Sequence, residues 1–291
     1  MTLTIRRMPG DAPLGAEVTG VDLAQEADDS MFGQIEDALH EHLVVVVRDQ
    51  KLTPEQHIRF SRRFGALAEH VMGPYVLPGH PEIYVVSNII ENGKPIGVAD
   101  AGPKWHSDFA YRARPARCSL LYALEVPVID GEPRGDTLFS NTVAAYAALP
   151  AKMRERLDGL KAVFCFTRQY EQRIKEGANL LPLTAEQKAA APDVIHPVIR
   201  THPYTGRRGI YACELNTANI DGVAEEESTR LLGEIYRQVA REDFVYRHKW
   251  RVGDLVIWDN VSAQHRAISK DYALPYRRHM HRTTVRGHTP F

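Results

Sequence analysis

The residues best suited to chemistry in this chain are histidines, one aspartate and a pair of arginines. His106 and Asp108 lie two residues apart in the run WHSDFAYRARP, Trp105 to Pro115. If that run is a strand, alternation sends both side chains to one face. Alone, such a pair is equally a His–Asp hydrogen bond beside a loop. A second imidazole, His265, follows the stretch GDLVIWDN, and behind it comes an arginine-rich segment with Arg278 and Arg282. Two imidazoles and one carboxylate on one face of an iron leave positions for a chelating cosubstrate and O₂, which a closed four-ligand zinc site does not. A guanidinium fork takes a carboxylate through two hydrogen bonds and keeps its charge. Three readings stay open on these residues: an iron oxygenase, a zinc-type hydrolase that activates water through the same triad, and an inactive relative that only binds.

Elements able to position these residues are visible in the hydrophobic periodicity. GAEVTGVDL (Gly15 to Leu23) alternates as a strand, DDSMFGQIEDALHEHL repeats at helical spacing, and LVVVVRD (Leu43 to Asp49) reads as a buried strand. Thr53, Pro54 and Gln56 form a capping-box helix start that predicts a helix ending at Gly65. Beyond it the sequence is a series of short strands separated by Gly and Pro, the last being RRHMHRTTVRG, with two helices, TVAAYAALPAKMRERLDGL and AEEESTRLLGEIYRQVARE. This predicts a mainly β single domain over residues 1–291, of the double-sheet, jelly-roll kind, with flanking helices. The charged segment 169–192 reads as an insertion or lid.

Composition excludes several classes. Lys plus Arg number 36 against 37 Asp plus Glu, so there is no global positive field to hold nucleic acid. No apolar run spans a bilayer and no signal-peptide pattern opens the chain. The three cysteines, Cys118, Cys165 and Cys213, are scattered and lack a CxxC pair. A cytoplasmic protein is expected.

Several motifs in one order carry a resemblance: GAEVTGVDL, VVVVRDQKLTPEQHIRFSRRFG, WHSD, GDTLFSNTVAAYAALP, THPYTGRRGIY, GDLVIWDN with QHRA, and RRHMHRTTV. Together they resemble the Fe(II)- and 2-oxoglutarate-dependent dioxygenases related to taurine dioxygenase and 2,4-dichlorophenoxyacetate dioxygenase. The resemblance implies a double-stranded β-helix, a cupin-like jelly roll. It also implies Fe(II) held by His106, Asp108 and His265, with 2-oxoglutarate anchored by Thr137 and Arg278. The cosubstrate would be oxidised by O₂ to succinate and CO₂ while a small anionic organic substrate is hydroxylated. Arg282 and His70 match substrate-anion contacts, and Tyr111 matches an aromatic wall residue. The chain departs from taurine dioxygenase at Gly73, where Tyr75 is the nearby tyrosine, and at Gly102. These losses of polar contacts predict a substrate larger or less polar than taurine, such as another sulfonate, a sulfate ester or an aryloxy or alkyl carboxylate. Relatives imply a homodimer or homotetramer.

Blander readings accompany some of these residues. Arg277 to Arg282 could be a charged edge strand. Arg112 and Arg114 could steer anions or only solvate a loop. His57, His196, His202 and His248 read as structural.

Overall fold

The computed structural model describes residues 3–9, 13–69, 75–177 and 180–291. Its largest sheet has eight strands in the order Thr4–Arg7, Ala16–Thr19, Val44–Val47, Leu255–Asp259, Ala116–Glu125, His279–Arg286, His80–Ser87 and Val76–Leu77. Neighbours are antiparallel except Ala16–Thr19 with Val44–Val47. A three-stranded sheet, Val245–His248, Thr137–Asn141 and Ala263–Ala267, carries the second imidazole.

Alternation explains how the large sheet is buried on both faces. Val44 and Val46 join Val86, Leu121, Val256, Trp258 and Met280 in one apolar cluster, which also takes Phe139 and Ala263 from the small sheet. Val45 and Val47 point the other way, into a cluster with Ile35 and Leu39 of the helix Asp29–His42 and Phe60 of the helix Pro54–Arg62. Thr53 and Gln56 form the expected reciprocal cap, and Pro54 stands at the start of its helix. A third cluster packs the helix Glu225–Val239 against Phe164, Ile210 and Tyr211.

Three expectations need correction. TVAAYAALPAKMRERLDGL is two helices, Thr142–Ala147 and Ala151–Leu157, because Pro150 has no N–H for a continuous ladder and caps the second helix instead. WHSDFAYRARP is not a strand: His106 makes one isolated bridge with His265, and the chain then turns through Phe109 at φ +55°. The arginine-rich segment is not an edge, since His279–Arg286 lies between the strands Ala116–Glu125 and His80–Ser87. Segment 169–192 contains most of the helix Thr167–Lys175 and the helix Ala185–Ala189. Among the described residues, no helix is long and apolar enough to cross a membrane.

Candidate metal centre and its cavity

His106 and His265 are brought together by backbone pairing. The N–H of His106 donates to the carbonyl of His265 at 3.0 Å, and the N–H of His265 donates back at 2.8 Å. His265 lies mid-strand opposite Phe139, with the Trp258 ring 4.8 Å from its own. Asp108 completes the group: its Oδ1 is 4.0 Å from His106 Nε2 and its Oδ2 is 4.0 Å from His265 Nε2. One ligand atom from each residue lies within 4.8 Å of the others, and all three side chains are buried. That spacing suits three donors around one ion with bonds of roughly 2.0–2.2 Å.

The local chemistry favours a ligand set. Burial holds both imidazoles below their ordinary pKa, so they are neutral donors at neutral pH. Burial opposes ionisation of Asp108, yet the Arg282 guanidinium, with the Ser119 hydroxyl bonded to the carboxylate, outweighs that and holds the carboxyl well below the usual range. His106 Nδ1 donates to the Lys104 carbonyl at 2.9 Å, which presents Nε2 to the centre. Gly102, at φ +72°, lies against this ring, and a Cβ there would overlap His106 Cε1. A side chain at position 102 would therefore collide with this imidazole in the present backbone geometry.

Arg278 is buried, at 4 % exposure, and its Nε has no hydrogen-bond partner. It packs over Gly135, where a Cβ would come within 3.1 Å of that Nε. Gly135 is two residues before Thr137, whose backbone pairs with Ala267, two residues beyond His265. A buried guanidinium with an unused donor is able to take an anion. Thr137 Oγ1 accepts from Trp250 Nε1 at 3.0 Å, which leaves its own proton to donate. Asn88 braces the arginine by accepting from its backbone N–H at 2.8 Å.

Arg282 donates through Nη1 to Asp108 Oδ1 at 2.8 Å, a contact that sequence reasoning missed. Its Nε is buried without a partner, and the side chain lines the cavity beside the triad. Tyr84, Phe109, Tyr111, Phe166 and Tyr170 form the aromatic part of that cavity, with Tyr111 and Phe166 ring centres 4.6 Å apart. Val98, Leu180 and Leu215 add aliphatic surface. Arg173, from the helix Thr167–Lys175, reaches the same cavity and pairs with Asp100 at 3.1 Å. Local spacing could not have revealed this contact, because it joins segments 73 residues apart.

Other candidates fall elsewhere. Tyr75 is buried and lines an adjoining cavity with Asn88 and Leu180. His70 and Gly73 lie outside the described residues. Arg112 stacks on Phe109 and donates to the Glu69 carbonyl, while Arg114 donates to Gly287, so both brace the loop. His202 and His248 are buried against Asp259 and Asp254, as structural histidines should be.

A sequence model of the taurine catabolism dioxygenase TauD, TfdA family matches residues 4–284. The chain belongs to that family. It is 34 % identical to pentalenolactone F synthase of Streptomyces arenae over 90 % of this chain and 89 % of the relative. It is 32 % identical to the alpha-ketoglutarate-dependent 2,4-dichlorophenoxyacetate dioxygenase of Cupriavidus pinatubonensis, over 93 % of each chain. The crystal structure of a taurine dioxygenase from Burkholderia xenovorans superposes with a TM-score of 0.81 at 31 % identity, covering 99 % of this chain and 90 % of that one. This member of the family is a 2-oxoglutarate-dependent non-heme iron dioxygenase, with Fe(II), 2-oxoglutarate and O₂ as its cofactor and cosubstrates.

Proposed function

We propose that this dioxygenase hydroxylates a substrate with a bulky apolar body and one anionic group: a sulfonate, a sulfate ester, or an aryloxy or alkyl carboxylate. The observation that carries the reading is Arg282, which stands beside the metal carboxylate with a buried, unpartnered Nε at the end of an aromatic-lined cavity. A guanidinium there fixes an anion, and the rings accept a hydrophobic body. The name of the Cupriavidus relative points to a substrate of this kind.

In this reading His106, Asp108 and His265 hold Fe(II). Bound iron with 2-oxoglutarate and O₂ supplies the oxidising chemistry, and the cosubstrate leaves as succinate and CO₂. Arg278 and Thr137 hold the distal carboxylate of 2-oxoglutarate. Arg282 orients the substrate anion, with His70 as a second contact. Tyr111 and its aromatic neighbours exclude water from the reacting carbon, and Tyr75 supports that wall from behind. The helix Thr167–Lys175 serves as part of a lid. We assign the two sheets that share the Phe139–Trp258–Met280 core to a double-stranded β-helix. The protein is assigned to the cytoplasm, as a homodimer or homotetramer without nucleic-acid or membrane partners.

The test is succinate release with matched pairs, for example phenoxyacetate against its amide, together with sulfonates and sulfate esters. Anionic members should stimulate turnover and neutral ones should not. Equal stimulation by the amides would contradict the assignment to Arg282.

A further inference from the structure

Asp108 is tied into a hydrogen-bond chain that the metal triad itself does not require. Ser119 Oγ donates to Asp108 Oδ2 at 2.6 Å, and Asn260 Nδ2 donates to Ser119 Oγ at 2.9 Å. Asn260 Oδ1 accepts from the Asp108 backbone N–H at 3.0 Å and from Trp258 Nε1 at 3.1 Å. The backbone of Asn260 accepts from Ser107 Oγ and donates to the Arg117 carbonyl. Asn260 and Ser119 are both fully buried.

The proton directions follow from the groups involved. An indole N–H and a backbone N–H only donate, so the Asn260 side facing them must be its oxygen. Its amide nitrogen therefore faces Ser119 and donates. The serine hydroxyl, already accepting that bond, has one proton and gives it to the carboxylate. Each group has one orientation that satisfies all of them, and a buried network of this sort is rigid.

We propose that Ser119 and Asn260 are positioning residues: a one-way relay from the Asn260 amide through the Ser119 hydroxyl fixes the plane of the Asp108 carboxylate for the metal. With Arg282 on Oδ1 and Ser119 on Oδ2, the carboxylate is held from both sides. Loss of the serine donor leaves rotation about the last side-chain bond opposed on one side alone. Partners of this kind are worth about 10–100-fold in metal affinity.

The inference rests on the metal assignment above, and its test separates the two. Ser119→Thr and Ser119→Val have the same shape and differ in the hydroxyl, so packing changes are common to both. Mn(II) titration of each folded variant, followed by the loss of the free-ion paramagnetic signal, should give near-wild-type binding for Ser119→Thr. Binding by Ser119→Val should be about 10–100-fold weaker. Asn260→Leu removes the donor to Ser119 without adding a charge, so it should weaken binding too. Combined with Ser119→Val it should cost less than the sum of the two. Should the β-branched pair fail to fold, Ser119→Ala against wild type gives the same comparison. Equal Mn(II) affinity with and without the hydroxyl would overturn the relay alone. Failure of the wild type to bind Mn(II) would overturn the metal assignment first.

Discussion

Arg278 and Arg282 stand four residues apart, yet they meet different surroundings. Arg278 is enclosed by Gly135, Tyr272 and Asn88 and has no carboxylate hydrogen-bonded to it among the described residues. Burial depresses its pKa, so an anion arriving at the unused donor stabilises it. Arg282 lies over the Tyr84 ring and already shares Asp108. Truncating a buried partner of a charged pair costs roughly 2–5 kcal/mol. Arg278→Ala should therefore raise the apparent KM for 2-oxoglutarate at least about tenfold with a smaller effect on the prime substrate. Arg282→Ala should show the reverse preference. Steady-state titration of each reactant checks this, and equal effects of both variants on both reactants would sink the division of labour.

At the scale of elements, the strand His279–Arg286 has two working faces. Met280 and Arg282 face the core and cavity, while His281 and Thr283 face the helix Pro54–Arg62, where Thr283 Oγ1 and His57 Nε2 are 3.3 Å apart. Burial and neighbouring His279 and His80 push His281 down to about 4, and burial with His281 pushes His57 down to about 3. Both histidines are neutral when folded and have an ordinary pKa near 6.5 when unfolded. Between those values the unfolded chain binds more protons, so stability rises with pH and is lost as pH falls from about 6.5 towards 4. Thermal unfolding should show this decline, and His281→Gln should flatten it. An unchanged slope in the variant would assign the acid sensitivity to other groups. The helical cap at Thr53 was legible because capping is a local signal. The strands Thr137–Asn141 and Ala263–Ala267 were not, since each is five residues long and is made a strand by pairing with the other. The dipeptides Asn92-Gly93 and Asp130-Gly131 are the local signal for two small hairpins, because both residues of each turn adopt positive φ.

Across the whole molecule, the site depends on contacts of very long sequence separation. Ser119 meets Asn260, Asp108 meets Arg282, and Asn88 meets Arg278. Residue types and motif order made the triad and the two arginines legible, because iron and carboxylate ligation demand those side chains. The relay behind Asp108 was not legible, since serine and asparagine have many structural uses and only the fold shows which partners they meet. Arg173 on Asp100 is hidden for the same reason. The central claim is that these distant segments build one iron and 2-oxoglutarate site. The most direct measurement is made without oxygen: Fe(II) and then 2-oxoglutarate are added to metal-free protein, and the visible metal-to-ligand charge-transfer band is recorded. The account predicts the band in the wild type and its loss in His265→Ala. A folded wild type that binds iron but develops no band would contradict it.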